Sequence, residues 1–379
     1  MMVALLLTGA SFGLWRLTFA GLIGGGLPQS DTGSGPRLLV TEFGLNQDTL
    51  WAISADEPDR RQPVATLPHA PGYGAYASVS ADGGFLAYTA LPPGLKNPAA
   101  DSPAEVWLLD LSTGQSRVLA ADADLLVTPV WAPDGRSLVF RRSYPQENAA
   151  GSFELVRVDL TGGETAVAKA EAGLFPIGFA PDGTFLYTAV SPTGTDLMRA
   201  AALRADVAAE RLAHLSDEFT REWRLSPDGR ELAFLAPQVT NGGMVLRAMV
   251  ADLSRGAGQV SVRLEVADGA LAQEFGPVWH PDGDLTLGRL SPGQSRAGAL
   301  RLSAQAEDGA AEALPRPDRG FDVPISWSPD GDVLAVRTFE NASPVQPGRA
   351  RLELVQEDGG RRPIEMGSEV SVAGWLTGE

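Results

Sequence analysis

The chain has 379 residues, no cysteine and a formal net charge of −17. Its length admits one large fold or two to three ordinary domains, and 44% hydrophobic with 20% charged residues is the make-up of a folded protein rather than a disordered one. The missing cysteines exclude disulfides, thiol nucleophiles, zinc–thiolate centres and a lipidated N-terminal Cys. So acidic a surface disfavours nucleic acid and anionic lipid headgroups.

In chain order, the first element is the apolar run Val3–Gly26. As a helix it would be about 36 Å long, enough to cross a bilayer core. Arg16 in its middle costs about 2.5–3.5 kcal/mol on insertion scales. No basic stretch precedes the run, so residues 1–26 read as an uncleaved transmembrane anchor, with a cleaved signal segment as the alternative. Residues 27–36, LPQSDTGSGP, form a polar linker. The remainder, residues 37–379, is then expected outside the cytoplasm, periplasmic or extracellular. Within the apolar run, Gly9-Ala10-Ser11-Phe12-Gly13 matches the G-x-S-x-G nucleophile elbow, but no strand precedes it and the match is chance.

From Ser78 onward one pattern recurs six times: SVSADGGFLAY, VWAPDGRSLVF, GFAPDGTFLYT, RLSPDGRELAF, VWHPDGDLTLG and SWSPDGDVLAV. Its aspartates are Asp82, Asp134, Asp182, Asp228, Asp282 and Asp330, spaced by 52, 48, 46, 54 and 48 residues. Pro presets the first corner of a tight turn, Asp suits the second, and Gly takes the left-handed position after it, so each copy is a strand–turn–strand hairpin. Two further strand-like runs follow each hairpin, as in Glu105–Leu111 with Ser116–Ala120, or Phe153–Leu160 with Glu164–Ala168. Four short antiparallel strands in about 50 residues make one blade of a β-propeller.

The ends complete the count. Trp375 falls 48 residues after Trp327, in register with Trp131, Trp279 and Trp327, and the chain stops just beyond it. Before the first hairpin lie three strand-like runs, Leu38–Glu42, Thr49–Ala55 and Pro63–Leu67. Together they predict an all-β, seven-bladed propeller in which the C-terminal strand joins the three N-terminal ones, with six blades as the alternative. Closure of that kind leaves no sheet edge open. The aromatic-x-Pro-Asp-Gly hairpins and their Val-Asp-Leu-type third strands resemble the TolB-type propeller repeat, a relative of the WD repeat. The resemblance covers everything after the linker. It implies fold rather than activity, because that family uses the Asp and Gly for turns.

Catalytic chemistry finds little support. The only histidines, His69, His214 and His280, are scattered without metal-ligand spacing. Asp122-Ala123-Asp124 lacks the third ligand and the Gly of a calcium loop. No cofactor, metal or catalytic residue is therefore expected. The loops entering the first strand of each blade should open on one face, and they pair aromatics with carboxylates. Tyr73, Phe175, Phe219, Glu222, Phe275, Phe321 and Asp322 are the candidate partner-binding residues, with Glu171, Glu218 and Glu274 beside them. The competing expectation is that these rings plug the space between blades. The sequence thus predicts a non-enzymatic, extracytoplasmic protein- or peptide-binding module or envelope-assembly subunit. The alternatives are a ligand-sensing ectodomain and a metal-dependent propeller hydrolase.

Overall fold

The computed structural model describes residues 35–377, apart from 147–148, 172, 202, 205, 241–242, 255–259, 265–271, 304–310, 358 and 368. The expected anchor and nearly all of the linker lie outside the described residues. Among those described, every regular element is a β-strand and no helix is long and apolar enough to cross a membrane.

Apart from the short Arg296–Ala297, which pairs in parallel with Gly320–Trp327, the strands group into antiparallel four-stranded units, paired first to second to third to fourth. Units 1 to 6 occupy residues 76–123, 130–170, 173–216, 221–264, 273–313 and 320–363. Unit 7 is assembled from both ends: Val370–Leu376 pairs with Arg37–Glu42, which pairs with Gln47–Ser54, which pairs with Arg61–Pro68. A single pairing, Ala123 with Arg142, runs units 1 and 2 together at one corner.

The repeated turn forms as its chemistry dictates. In all six copies the Gly has positive φ, from 64° at Gly135 to 102° at Gly283. Its N–H closes back on the residue three before it, as Gly135 does on Ala132 at 3.0 Å. The Asp side chain accepts the N–H two residues on, at 2.9 Å for Asp134 and Arg136. These carboxylates shape the turns.

Each second strand is apolar on both faces because it is sandwiched between neighbouring units. Side chains alternate along a strand, so Leu138 and Phe140 pack on unit 1 while Val139 packs on unit 3. Leu232 and Phe234 face unit 3, and Ala233 and Leu235 face unit 5. Leu38 and Val40 of unit 7 join Val333 and Leu354 of unit 6, whereas Leu39 and Leu376 join Leu86 and Tyr88 of unit 1. The in-register tryptophans add a second tie, each donating its indole N–H to the unit before it. Trp131 donates to Ser78 O at 3.0 Å, Trp279 to Arg224 O at 2.8 Å, Trp327 to Thr286 Oγ1 at 3.0 Å and Trp375 to Ser326 Oγ at 3.0 Å.

Because the strands alternate in direction, the Asp-Gly turns and the third-to-fourth connections share one face. The second-to-third connections and the loops between units share the other, called here the rim.

Candidate functional site

The candidate residues lie along the rim, and the structure brings them together only in part. Phe175, from the strand Gly173–Phe179, and Phe219, from the loop before Arg221–Leu225, have ring centroids 5.7 Å apart. Trp223 closes the triangle at 5.5 Å from Phe175 and 6.0 Å from Phe219. Beneath it the Arg141 guanidinium lies 4.4 Å from the Phe175 ring and 4.9 Å from that of Phe153, and its charge is answered by Asp124 at 2.8 Å. Phe219 is 44% exposed. These loops and the strand ends beside them expose Glu171, Asp217 and Glu218 against Lys169 and Arg221. The arrangement is an aromatic shelf with a mainly acidic border.

Glu222 is not on that shelf. Its backbone is left-handed, with φ of 58°, and its carboxylate accepts the N–H of Gly276 in unit 5 at 2.9 Å. Gly276 stands at the same position of its own repeat and is also left-handed, with φ of 51°. A charged residue holding a conformation that glycine takes with ease is tolerated here because its side chain ties two units together.

The other candidates are interior. Phe321 is 2% exposed and stacks between Phe275 at 4.7 Å and Phe339 at 5.1 Å, joining units 5 and 6. Phe275 is half-buried in the same cluster. Asp322 is also buried, held by Arg361 at 2.8 Å and by the Thr338 hydroxyl at 2.8 Å. Burial pushes its carboxyl above the ordinary carboxylate range, and Arg361 offsets this only in part. Glu274 is buried beside Arg247. Tyr73 packs against the core between units 1 and 2, donating its hydroxyl to Pro98 O at 3.1 Å. Phe321 packs between units and Asp322 is tied within unit 6, and their burial leaves neither side chain on the surface. Trp223 was missed by the sequence reading. The available signal was an aromatic at the position occupied by Ile177 and Ile325 in other units.

The histidines are engaged one by one. His69 sits between Asp48 and Ala70 O, His214 between Asp196 and Asp217, and His280 between the Asp282 turn and Gly331 O. Among the described residues no three His, Asp or Glu side chains gather into a group that could hold a metal ion.

No family model matches the chain, and no curated protein matches it. Solved structures do. TolB from Acinetobacter baumannii aligns with 90% of this chain at 18% identity and a TM-score of 0.50. The fold is that of a TolB-type β-propeller. Prolyl oligopeptidase B from Galerina marginata shares the propeller over 89% of this chain, at 10% identity and a TM-score of 0.59. An oligogalacturonate lyase in complex with manganese does so over 91%, at 14% identity and a TM-score of 0.53. The chain spans 66% of that TolB and 52% of that peptidase, but 86% of the lyase.

Proposed function

We propose that the protein is a membrane-tethered, seven-bladed propeller that works outside the cytoplasm as a non-catalytic docking module, taking an apolar segment that carries Arg or Lys on its rim. Units 1 to 7 are its blades, and the C-terminal strand closes the ring. What supports closure is the position of Val370–Leu376, tied to unit 6 through Trp375 and packed on unit 1 through Leu376.

The observation that carries the docking reading is the one-sidedness of exposed apolar surface. Of the ten large hydrophobic residues exposed among those described, seven are on rim loops or hairpin tips: Phe43, Leu45, Leu126, Phe219, Val239, Met244 and Val345. Apolar exposure gathered on one side marks an interaction surface. The acidic border around Phe219 sets the partner's charge, since a cationic segment finds opposite charge and a ring face there together.

A catalytic propeller is the rival reading, favoured by a lyase that this chain spans over most of its length. Against it stand the histidines, each of which is engaged in structural contacts of its own.

The test is site-specific photo-crosslinking in native membranes. A photoreactive residue replacing Phe219 should trap a partner, whereas one replacing Arg136, beside a turn on the opposite face, should trap nothing. The protein should sediment with membranes and resist salt extraction. Trapping from Arg136 alone would overturn the rim assignment, and recovery of intact protein in the soluble cytoplasmic fraction would overturn the tether.

A further inference from the structure

We propose that His69 is a pH-sensitive clamp fastening the rim loop 43–46 to the neighbouring loop 69–75, closed when the imidazole is protonated and loosened when it is not. His69 is 1% exposed. Nε2 lies 2.9 Å from Asp48 Oδ1, and Nδ1 lies 2.8 Å from the carbonyl oxygen of Ala70. A carboxylate and a carbonyl oxygen can only accept. Both contacts are therefore hydrogen bonds only if both nitrogens carry hydrogen, as in the imidazolium ion.

Asp48 is the centre of the clamp. Its Oδ1 also accepts the Gly44 N–H at 3.1 Å, and its Oδ2 the Ala75 N–H at 2.8 Å, so one carboxylate reaches both loops. Two backbone bonds reinforce it: the His69 N–H donates to Asn46 O at 3.0 Å and the Gly72 N–H to Leu45 O at 2.9 Å. Phe43 stacks on the imidazole with ring centroids 6.0 Å apart. The loop so fixed presents Phe43 and Leu45, 38% and 67% exposed, on the rim.

The titratable groups facing the imidazole are Asp48 and, coupled to Asp48, the Tyr76 phenol, which burial and that carboxylate both push upward. For His69, burial lowers the pKa, and the bonds to Asp48 and Ala70 O raise it by more, so the balance lies above 6.5. The clamp is then complete below the unfolded value and is lost as pH rises through the raised one. After deprotonation one nitrogen turns a lone pair towards an acceptor, in a site too buried for water to intervene. Asp48 keeps its two backbone donors, so the loops lose the imidazole's share of their tie and are loosened rather than released.

The consequence for partner capture rests on the docking reading; the clamp itself does not. Its test is nuclear magnetic resonance on the full chain, following the His69 Cε1 proton with pH after assignment with His214→Gln and His280→Gln. Exchange of the His69 and Gly72 amides, corrected for base catalysis, is read over the same range. The midpoint should lie above 6.5, with amide protection reduced across that titration. In His69→Gln the protection should no longer depend on pH. A midpoint at or below 6.5 in the unaltered protein, or unchanged protection through the titration, would overturn the clamp. Neither readout needs a partner, so failure here leaves the rim assignment standing.

Discussion

Leu376→Ala measures how much of the protein depends on its last strand. The side chain is 4% exposed and lies in the core between units 7 and 1, with Leu39, Leu50, Leu86 and Tyr88. Its Cδ2 packs beneath the first Asp-Gly turn, 3.2 Å from where a Cβ on Gly83 would sit. Truncating a buried leucine costs about 2–5 kcal/mol, and a strand near the chain end can settle partly into the space, which favours the lower half, about 2–3 kcal/mol. For a fold of this size that is a fall in Tm on the order of 5 °C. Leu126→Ala is the matched control, because that leucine is 54% exposed and its loss should stay within about 0.5 kcal/mol. Urea unfolding followed by tryptophan fluorescence gives both values. Equal destabilisation of the two variants would mean that the fold holds without Val370–Leu376, and six blades would then be the better description.

Phe321→Ala should cost about 3–5 kcal/mol of stability by urea unfolding, since it empties the stack between Phe275 and Phe339. Phe219→Ala should leave stability within about 0.5 kcal/mol while weakening capture of the partner; a Phe219→Ala loss as large as that of Phe321→Ala would show the shelf to be core. The Ser80 hydroxyl and the Gly84 N–H hold Asp82 below the ordinary carboxylate range, and the Thr184 N–H and hydroxyl do the same for Asp182. Their contribution is complete above the unfolded value and is lost as pH falls through the lowered ones. Asp82→Asn should therefore flatten the acid limb of the urea midpoint against pH, and a superimposable limb would discount the turn carboxylates.

The repeat was legible because everything defining it is local. Six Pro-Asp-Gly or Ala-Asp-Gly turns need no information beyond five residues each, and their spacing then counts the units. Trp375 was legible for a related reason, being one more member of a register already set by Trp131, Trp279 and Trp327. The directions of the rim aromatics were not legible. Phe219 and Phe321 each follow a charged loop at the entry to a first strand, yet one is half-open and the other enclosed. The difference arises from Phe339 and Arg361, which arrive from elsewhere in unit 6 and enclose Phe321 and Asp322. The tie that Glu222, itself a candidate, makes to unit 5 was not legible for the same reason, since only folding places the Gly276 N–H against its carboxylate.

The pairing within unit 7 also sets an order of events. Thr41 donates its hydroxyl to Ser371 O, 330 positions later in the chain. A ribosome makes Arg37–Glu42 before, and its neighbour Val370–Leu376 after, every other strand described here. Throughout synthesis, and through any passage across a membrane, the edge of Arg37–Glu42 stands without its eventual partner, open to pairing with any strand that reaches it. Holding that edge idle until the final strand arrives is a task for the cell rather than for the finished fold.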